Sequence, residues 1–245
     1  MLGVLGGMGP AATVDFMEKV IANTPGVSGD QGHIPMLVLS ASNIPDRSAA
    51  ILGHGADPFP AMLAALRQLE RAGATRIAIP CNTAHYWHDA LQASTALPIL
   101  HIAQAVCDEL DASAAQHIGE RAPVGVLATA GTRMANVYGA RLAQRGYASL
   151  WPDEAGQREV TRAIALVKAG RTQEAFAPLA AQAEALWARG CRYVLMACTE
   201  IPVALADYRV HGEQRLLDAT DALARACVAS EGAALAPMQR CALAA

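Results

Sequence analysis

Two segments far apart in the chain end an apolar run with a cysteine and a nearby threonine: "RIAIPCNTAH" and "YVLMACTEIP". The residues around these cysteines recur at a constant separation of 117 positions. The matching pairs are Gly73 and Gly190, Cys81 and Cys198, and Ile99 and Leu216. The segments "GVLGGMG" and "GVLATAG" also match, at a separation of 122. A separation that persists over several elements indicates internal duplication, so the chain is predicted to contain two related halves.

Short apolar runs alternate with longer segments of helical periodicity, the pattern of an α/β protein with parallel sheets. The predicted buried strands are Gly3–Leu5, Met36–Leu39, Ile77–Ile79, Ile99–Leu100, Val124–Leu127, Val194–Met196 and Leu216–Leu217. The apolar positions on two predicted helix faces are Met62, Leu66 and Leu69, and Leu179, Ala183 and Leu186. We therefore expect two pseudo-symmetric lobes, each a flavodoxin-like parallel sheet flanked by helices, with the active site in the cleft between them.

The duplication also predicts how the lobes share the chain. "ILHIAQAVCDEL" and "LLDATDALARAC" occupy matching places, and each would carry the chain toward the other lobe. The N-terminal lobe is therefore expected to contain residues 1–101 plus 215–245, and the C-terminal lobe residues 102–214.

The composition of the 245-residue chain argues against several classes of protein. A formal net charge of −3 without a basic run disfavours binding to nucleic acid. No run of about 18 apolar residues is present, so no membrane span is expected. The six cysteines include no C-x-x-C pair, which disfavours a zinc ribbon or a disulfide framework. Free thiols are typical of a reducing compartment, so a cytoplasmic location is expected.

Each matched cysteine follows a predicted strand and precedes a predicted helix. Ligands of open parallel sheets bind beyond the carboxyl ends of the strands, so facing lobes would bring Cys81 and Cys198 into one cleft. A helix N-terminus lowers the pKa of a thiol from about 8.5, and both thiols are expected to be activated in this way. Two such thiols suggest acid/base chemistry on both faces of one carbon. The more common role of a small buried core residue is expected for Cys107, Cys191, Cys227 and Cys241.

Two other patterns occur in the sequence, each in incomplete form. "GMGPAA" fits a loose G-x-G-x-x-A dinucleotide fingerprint, but "VLSASN" lacks the acidic residue expected after the second strand. His85 and His88 form H-x-x-H, yet no carboxylate shares their spacing, so no metal is predicted. The chain also has no P-loop G-K-[ST] and no G-x-S-x-G nucleophile elbow.

Six motifs in order resemble the aspartate/glutamate racemase family, particularly its aspartate racemase branch: "GVLGGMGPAAT", "IPDR", "PCNTAH", "LATAGT", "VKAG" and "ACTEI". The resemblance runs from Leu2 to about Val228. It implies racemisation without pyridoxal phosphate, so no cofactor is expected, and it implies a homodimer. One cysteine thiolate would remove the α-proton while the opposite thiol protonates the other face. Cys81 and Cys198 match the two family cysteines.

The resemblance also implies contacts to the substrate carboxylate. The positions that match residues holding the α-carboxylate are Asn82, Thr83 and Thr199. Thr129 and Thr132 match a turn with further polar contacts, although both would also serve as ordinary helix N-caps. Met8 is also expected to bind the substrate, because "GGMGP" would present backbone N–H groups at a helix start.

The side-chain end of the substrate would meet two cations. Arg47 in "IPDR" matches the arginine that grips the distal carboxylate, a role suited to the guanidinium fork. Lys168 in "ALVKAGR" matches the lysine of the branch, although a lysine near a helix end is usually a solvated cation. The chain has 17 arginines and only two lysines. A lysine at this position therefore weakly favours a specific role for its ammonium group. Together these cations favour an acidic substrate.

Three further residues are candidates for activating a thiol. Asp46 stands beside Arg47, Glu200 follows Cys198 by two positions, and His85 follows Cys81 by four. The alternatives are a turn-forming Asp and a glutamate favoured by a helix N-terminus.

The function expected from the sequence is cofactor-independent racemisation of aspartate, or of glutamate, by two cysteines. Maleate cis-trans isomerisation, hydantoin racemisation and broad-specificity amino-acid racemisation use related thiol chemistry and stay open. A catalytically silent amino-acid-binding protein is an alternative of another class. Malonate decarboxylation needs only one thiol, so the presence of two counts against it.

Overall fold

The computed structural model describes residues 1–114, 121–206, 208 and 215–239, which form two four-stranded parallel sheets. The strands of the first sheet are β1 Leu2–Gly6, β2 Met36–Ser40, β3 Arg76–Ala78 and β4 Ile99–Leu100. Those of the second sheet are β5 Val124–Ala128, β6 Ser149–Leu150, β7 Tyr193–Ala197 and β8 Leu216–Asp218. The spatial orders β2-β1-β3-β4 and β6-β5-β7-β8 are equivalent. The predicted fold class and its internal duplication are therefore confirmed.

All seven predicted strands are present, and within the described ranges β6 is the one strand that the sequence did not predict. β6 is two half-buried residues at the edge of its sheet, paired with β5 through Val124 and Gly125. A strand this short has no alternation of apolar and polar residues that could reveal it.

Helices lie on both faces of the sheets, as parallel strands require. In the first part of the chain they are α1 Pro10–Asn23, α2 Arg47–Ile51, α3 Phe59–Arg71, α4 His88–Ala93 and α5 Ile102–Ala114. In the second part they are α6 Ala130–Met134, α7 Gly139–Gln144, α8 Glu154–Lys168, α9 Thr172–Ala188, α10 Glu200–Ala204 and α11 Ala219–Gln239. Short 3-10 helices span Asp30–Gly32 and Thr83–Trp87.

The sequence explains which face of the matched helices α3 and α9 is buried and where each helix ends. The six apolar positions predicted on their faces are buried. Two residues after each helix comes a glycine with positive φ, 93° at Gly73 and 88° at Gly190. A left-handed residue at this position ends a helix, and glycine adopts it without steric cost.

One hydrophobic core is shared by the two sheets. It contains residues of β1, β5 and β7 together with α5 and α11, among them Val4, Ile102, Val126, Leu195 and Leu223. Two further cores cover the outer face of each sheet, one beneath α3 and one beneath α8 and α9. The central strands β1 and β5 are therefore buried along their whole length, whereas the edge strands β2 and β6 are partly exposed.

The division of the chain between lobes remains a prediction, and the structure adds detail at its boundary. β8 is hydrogen-bonded to β7, so Leu216–Asp218 belongs to the second sheet. α11, which follows β8, packs against α1 and α5. A buried ion pair joins these parts, with Lys19 Nζ 2.8 Å from Asp218 Oδ2. No helix in the described ranges is long and apolar enough to cross a bilayer.

Candidate active site

The two matched cysteines line one small cavity at the carboxyl ends of β3 and β7. Its volume is about 20 Å³, roughly what a single water molecule occupies. The wall comes from both halves of the chain and consists of Met8, Asp46, Arg47, Ser48, Cys81, Asn82, Thr83, Thr129, Lys168, Cys198, Thr199 and Glu200. The structure thus brings together every predicted site residue except Thr132 and His85.

The surroundings of Cys198 differ from the expectation of an activated thiol. Its Sγ donates a hydrogen bond to Glu200 Oε2 at 2.9 Å, in a buried position. Burial raises the pKa of the Cys198 thiol well above its ordinary value, and the negative charge of Glu200 raises that pKa further. The backbone N–H of Glu200 and the Lys168 ammonium act in the opposite direction with smaller effect. The prediction of a lowered pKa is therefore wrong for Cys198, because burial and the neighbouring Glu200 carboxylate outweigh the groups that lower that pKa.

His85 is close to Cys81 but contacts its backbone. The ring Nδ1 donates to the Cys81 carbonyl at 2.9 Å, and Nε2 accepts from the Ile102 N–H at 3.1 Å. Burial lowers the pKa of His85 to about 4, although the bond to the Cys81 carbonyl raises it. The ring is thus neutral at pH 7 with both nitrogens occupied. This arrangement corrects the expectation that His85 activates the thiol: it fixes the turn that carries Cys81.

The rings of His88 and His101 pack against His85, with centroids 6.0 and 4.7 Å from it. Burial lowers the pKa of His101 as well. Across the part of the chain that the structure describes, no group of three or more His, Cys, Asp or Glu side chains is arranged to hold a metal ion.

Asp46 and Lys168 belong to the charged side of the cavity. Asp46 is the N-cap of α2 and accepts a hydrogen bond from the Ala49 N–H at 2.8 Å. Burial by itself would raise the pKa of Asp46, but the Ala49 N–H, Lys168 and Arg47 outweigh it and lower that pKa. Lys168 is the last residue of α8, which agrees with the sequence prediction that it lies near a helix end. Asp46 therefore caps α2, whereas the alternative expected from the sequence was a turn-forming role.

The Arg47 guanidinium is held mainly by backbone carbonyl groups. Nη1 donates to Ile44 and Pro45 at 3.2 and 2.9 Å, and Nη2 donates to Met8 at 3.3 Å. Nε is buried and has no hydrogen-bond partner in the structure. These bonds fix the guanidinium against the segment "GGMGP" and occupy part of its donor capacity.

Three threonine hydroxyls connect the two halves at the cavity. Thr83 Oγ1 lies 3.0 Å from Thr129 Oγ1 and 2.8 Å from Thr132 Oγ1, and Thr129 donates to Thr132 at 3.0 Å. Thr129 is also the N-cap of α6, where it accepts from the Thr132 N–H. Thr132 is fully buried behind the other two and does not reach the cavity. It therefore holds the hydroxyls that line the wall, which corrects its placement among the substrate contacts.

Asn82 and Thr199 supply neutral polar groups beside the two thiols. Thr199 Oγ1 donates to Glu200 Oε2 at 3.2 Å. This carboxylate oxygen therefore accepts from both the Cys198 thiol and the Thr199 hydroxyl. Asn82 Oδ1 accepts a hydrogen bond from the Tyr138 hydroxyl. Asn82 Nδ2 is buried without a partner in the structure, which leaves a donor for a ligand in the cavity.

The halves also meet at α2 and α6, over the cavity. A Cβ atom added to Gly131 would lie 2.7 Å from both Cα and Oγ of Ser48. Glycine is therefore required at position 131 for the two helices to approach this closely.

Ser48 and Tyr138 were missed in the sequence. Ser48 directly follows Arg47, but the neighbouring sequence contains no feature that marks it as a residue of the cavity wall. Tyr138 lies nine residues after Thr129 and has no motif of its own. The signal that could have found Tyr138 is physical, because a tyrosine inside a core needs a partner for its hydroxyl.

Comparisons with known proteins agree with the sequence motifs and the fold. Residues 5–227 match the family described as Asp/Glu/hydantoin racemase. The chain is 26% identical over 240 residues to the broad specificity amino-acid racemase RacX of Bacillus subtilis, covering 94% of this chain and 97% of that protein. The Picrophilus torridus aspartate racemase superposes with a TM-score of 0.82 at 28% identity over 94% of each chain.

An aspartate racemase homologue of Pyrococcus horikoshii shares the fold with a TM-score of 0.72 at 21% identity, covering 95% of this chain and 98% of that one. The resemblance found in the sequence is thus confirmed over nearly the whole described chain. The protein belongs to the Asp/Glu/hydantoin racemase family.

Proposed function

We propose that the protein racemises an acidic amino acid, aspartate or glutamate, without a cofactor, using Cys81 and Cys198 as the two acid/base groups. The observation that carries this proposal is the position of both thiols in one cavity, at equivalent ends of duplicated strands. Inversion of a carbon needs proton removal on one face and delivery on the other, and one rigidly held group cannot reach both faces.

Membership of the family makes the chain an amino-acid racemase. The relatives differ in the substrate range that their names give, since one is an aspartate racemase and another a broad specificity amino-acid racemase. The choice of substrate for this chain therefore rests on its own residues. A homodimer and a cytoplasmic location, both expected from the sequence, also stay predictions.

The proposed reaction begins with one thiol deprotonated and the other protonated. The thiolate takes the α-proton of the substrate, the electron pair of the C–H bond stays on the substrate as a carbanion, and the opposite thiol gives its proton to the other face. The groups proposed to hold the α-carboxylate are Asn82, Thr83 and Thr199. Preorganised donors of this kind stabilise the charge that develops in the transition state.

Glu200 gives the Cys198 side of the cavity an acceptor for the thiol proton. Its carboxylate receives the hydrogen bond from Sγ directly, so it can take this proton when Cys198 acts as the base. General bases of this kind contribute when they stand within hydrogen-bond reach of the proton that moves. Among the described residues, no carboxylate is hydrogen-bonded to the Cys81 thiol, so the two faces are chemically unequal.

Arg47 and Lys168 are the proposed partners of the distal carboxylate. Both line the cavity, on the side where Asp46 balances part of their charge. The buried Nε of Arg47 has no partner and would gain one from a substrate carboxylate.

Broad-specificity racemisation is the second candidate, and the geometry of Arg47 favours it. Three backbone carbonyls already accept from this guanidinium, which limits the bidentate grip that would select acidic substrates. A site that depends less on Arg47 would also accept neutral amino acids.

Incubation in deuterium oxide separates these functions. Each L-amino acid is supplied in turn, loss of the α-proton is followed by NMR, and the product is resolved by chiral chromatography. Selective exchange and inversion of aspartate or glutamate supports the proposal, whereas similar rates on neutral amino acids support broad specificity. Saturable binding without exchange of any substrate would refute racemisation.

The Arg47→Met variant tests the specificity residue, with Arg162→Met as its control. Arg162 is exposed on α8 and pairs with Glu159 three positions earlier. Arg47→Met should lower turnover of acidic substrates far more than turnover of neutral ones. An equal loss on both classes would remove Arg47 from recognition of the distal carboxylate.

A further inference from the structure

The two ends of the Asn82 amide have different environments. The side chain is only 2% exposed and lines the cavity. Oδ1 accepts a hydrogen bond from the protein, while Nδ2 has no partner in the structure although it is buried. A buried amide donor without a partner costs free energy, and a negatively charged ligand in the cavity would satisfy it.

The partner of Oδ1 is Tyr138, which comes from the other half of the chain. Tyr138 immediately precedes α7, and its side chain is fully buried in the core that the two sheets share. Burial raises the pKa of the Tyr138 hydroxyl well above its ordinary value, and nearby Cys107 and Asp218 add to this effect. The hydroxyl is therefore protonated at neutral pH and donates to the amide oxygen.

We propose that Tyr138 is a positioning residue, which fixes the Asn82 amide so that its NH₂ end faces the substrate carboxylate. This inference rests on the proposed function and deepens it. The amide of asparagine has nearly the same shape in its two orientations, so packing alone does not select one. A tyrosine hydroxyl can also accept from an NH₂ group, but in the flipped orientation its own hydrogen would lose Asn82 Oδ1, its one acceptor among the described residues. The hydrogen bond from Tyr138 therefore favours the orientation with Nδ2 toward the cavity.

The selected orientation decides how an amino acid lies in the cavity. With Nδ2 toward the ligand, Asn82 attracts a carboxylate and offers nothing to an ammonium group. In the opposite orientation, Oδ1 would repel a carboxylate and attract an ammonium group. Tyr138 therefore determines the orientation in which the α-carbon is presented to Cys81 and Cys198, although it touches neither thiol nor substrate.

The Tyr138→Phe variant removes only the hydroxyl and keeps the aromatic ring in the core. We expect KM for the racemised substrate to rise about tenfold, the effect of one lost hydrogen bond that positions a charged ligand, with little change in kcat. Binding of succinate, a dicarboxylate without an α-proton, should weaken by a similar factor in calorimetry. A loss of stability without a change in KM would assign Tyr138 a structural role only and overturn the inference.

Tyr147→Phe is the matched control. Tyr147 is also a buried tyrosine of the second half, and its hydroxyl donates to Asp111 at 3.3 Å, outside the cavity. This variant should keep the wild-type KM. An equal rise of KM in both variants would show that loss of any buried hydroxyl produces the effect, which contradicts a specific role for Tyr138.

A double-mutant cycle with Asn82→Ala identifies the route of the effect. If Tyr138 acts through the amide, adding Tyr138→Phe to Asn82→Ala should change neither KM nor the affinity for succinate any further. Independent, multiplying effects would overturn the inference. Failure of the proposed function is recognised separately, because wild-type protein would then show no exchange of the substrate α-proton in deuterium oxide.

Discussion

The buried His85 ring makes the stability of the fold depend on pH, and this dependence tests the role that the structure gives to the residue. Its two nitrogens bond the Cys81 carbonyl and the Ile102 N–H as a neutral imidazole. Protonation would place a second proton on Nε2 and remove the bond from Ile102. The charge would also be repelled by His88 and Arg141, which both act to lower the pKa of His85.

The size of the effect follows from the two pKa values. The pKa of His85 is about 4 in the folded protein, against an ordinary value of 6.5. Between these values the unfolded chain binds a proton that the folded protein does not, so stability falls as pH falls from 6.5 and the loss is complete near pH 4. From pH 7 to pH 5 this amounts to about 2 kcal/mol of unfolding free energy.

The assay is urea unfolding of the wild type and of His85→Asn at pH 7 and at pH 5. Asparagine does not titrate, and it can still donate to the Cys81 carbonyl. The variant should be less stable at pH 7, because the Ile102 N–H loses its partner, but its stability should fall by about 2 kcal/mol less on acidification than that of the wild type. His101, whose pKa is lowered by burial and by the neighbouring His85, is present in both proteins.

His54→Asn is the control, because His54 is exposed and its replacement removes an imidazole without changing the core. It should keep the wild-type loss between pH 7 and pH 5. An identical loss in the wild type and in His85→Asn would refute a neutral, buried His85. That result would instead agree with an activating role of His85, in which its charged imidazole stabilises the thiolate of Cys81.

Two further predictions concern the cavity. Glu200→Gln removes the charge that helps to raise the pKa of Cys198. The pH midpoint for alkylation of that thiol by iodoacetamide should therefore fall, and racemisation should slow. An unchanged midpoint would contradict the effect of Glu200 on the Cys198 pKa. Gly131→Ala places a Cβ 2.7 Å from Ser48 and should destabilise the protein by about 1–3 kcal/mol and raise KM by holding α2 and α6 apart. Gly29→Ala, with its nearest neighbour at 3.5 Å, should leave both quantities unchanged, and equal effects of the two alanines would exclude this explanation.

The sequence was sufficient for the features that depend on repetition and on hydrophobic periodicity. The separation of 117 predicted that Cys81 and Cys198 are equivalent, and the apolar runs predicted seven strands because buried parallel strands consist of such runs. The motifs placed most wall residues correctly because those residues follow strand ends, where parallel sheets position side chains that act on ligands.

The sequence could not show what each side chain bonds to. His85 follows Cys81 by four positions, but only coordinates show that its ring contacts the Cys81 carbonyl and not the thiol. The pKa of Cys198 depends on burial and on the direction in which Glu200 points, and neither follows from spacing. Tyr138 reaches Asn82 from 56 positions away, a contact that forms only after the two halves pack together.

The claim that the two thiols act on opposite faces of one carbon is tested most directly by exchange without inversion. Cys81→Ala and Cys198→Ala are each incubated with the L- and the D-enantiomer of the substrate in deuterium oxide, beside Cys227→Ala, which removes a buried thiol outside the cavity. Each active-site variant should exchange the α-proton of one enantiomer only, a different one in each variant, and should invert neither. Exchange of the same enantiomer by both variants, or inversion by either at the wild-type rate, would contradict the two-thiol mechanism.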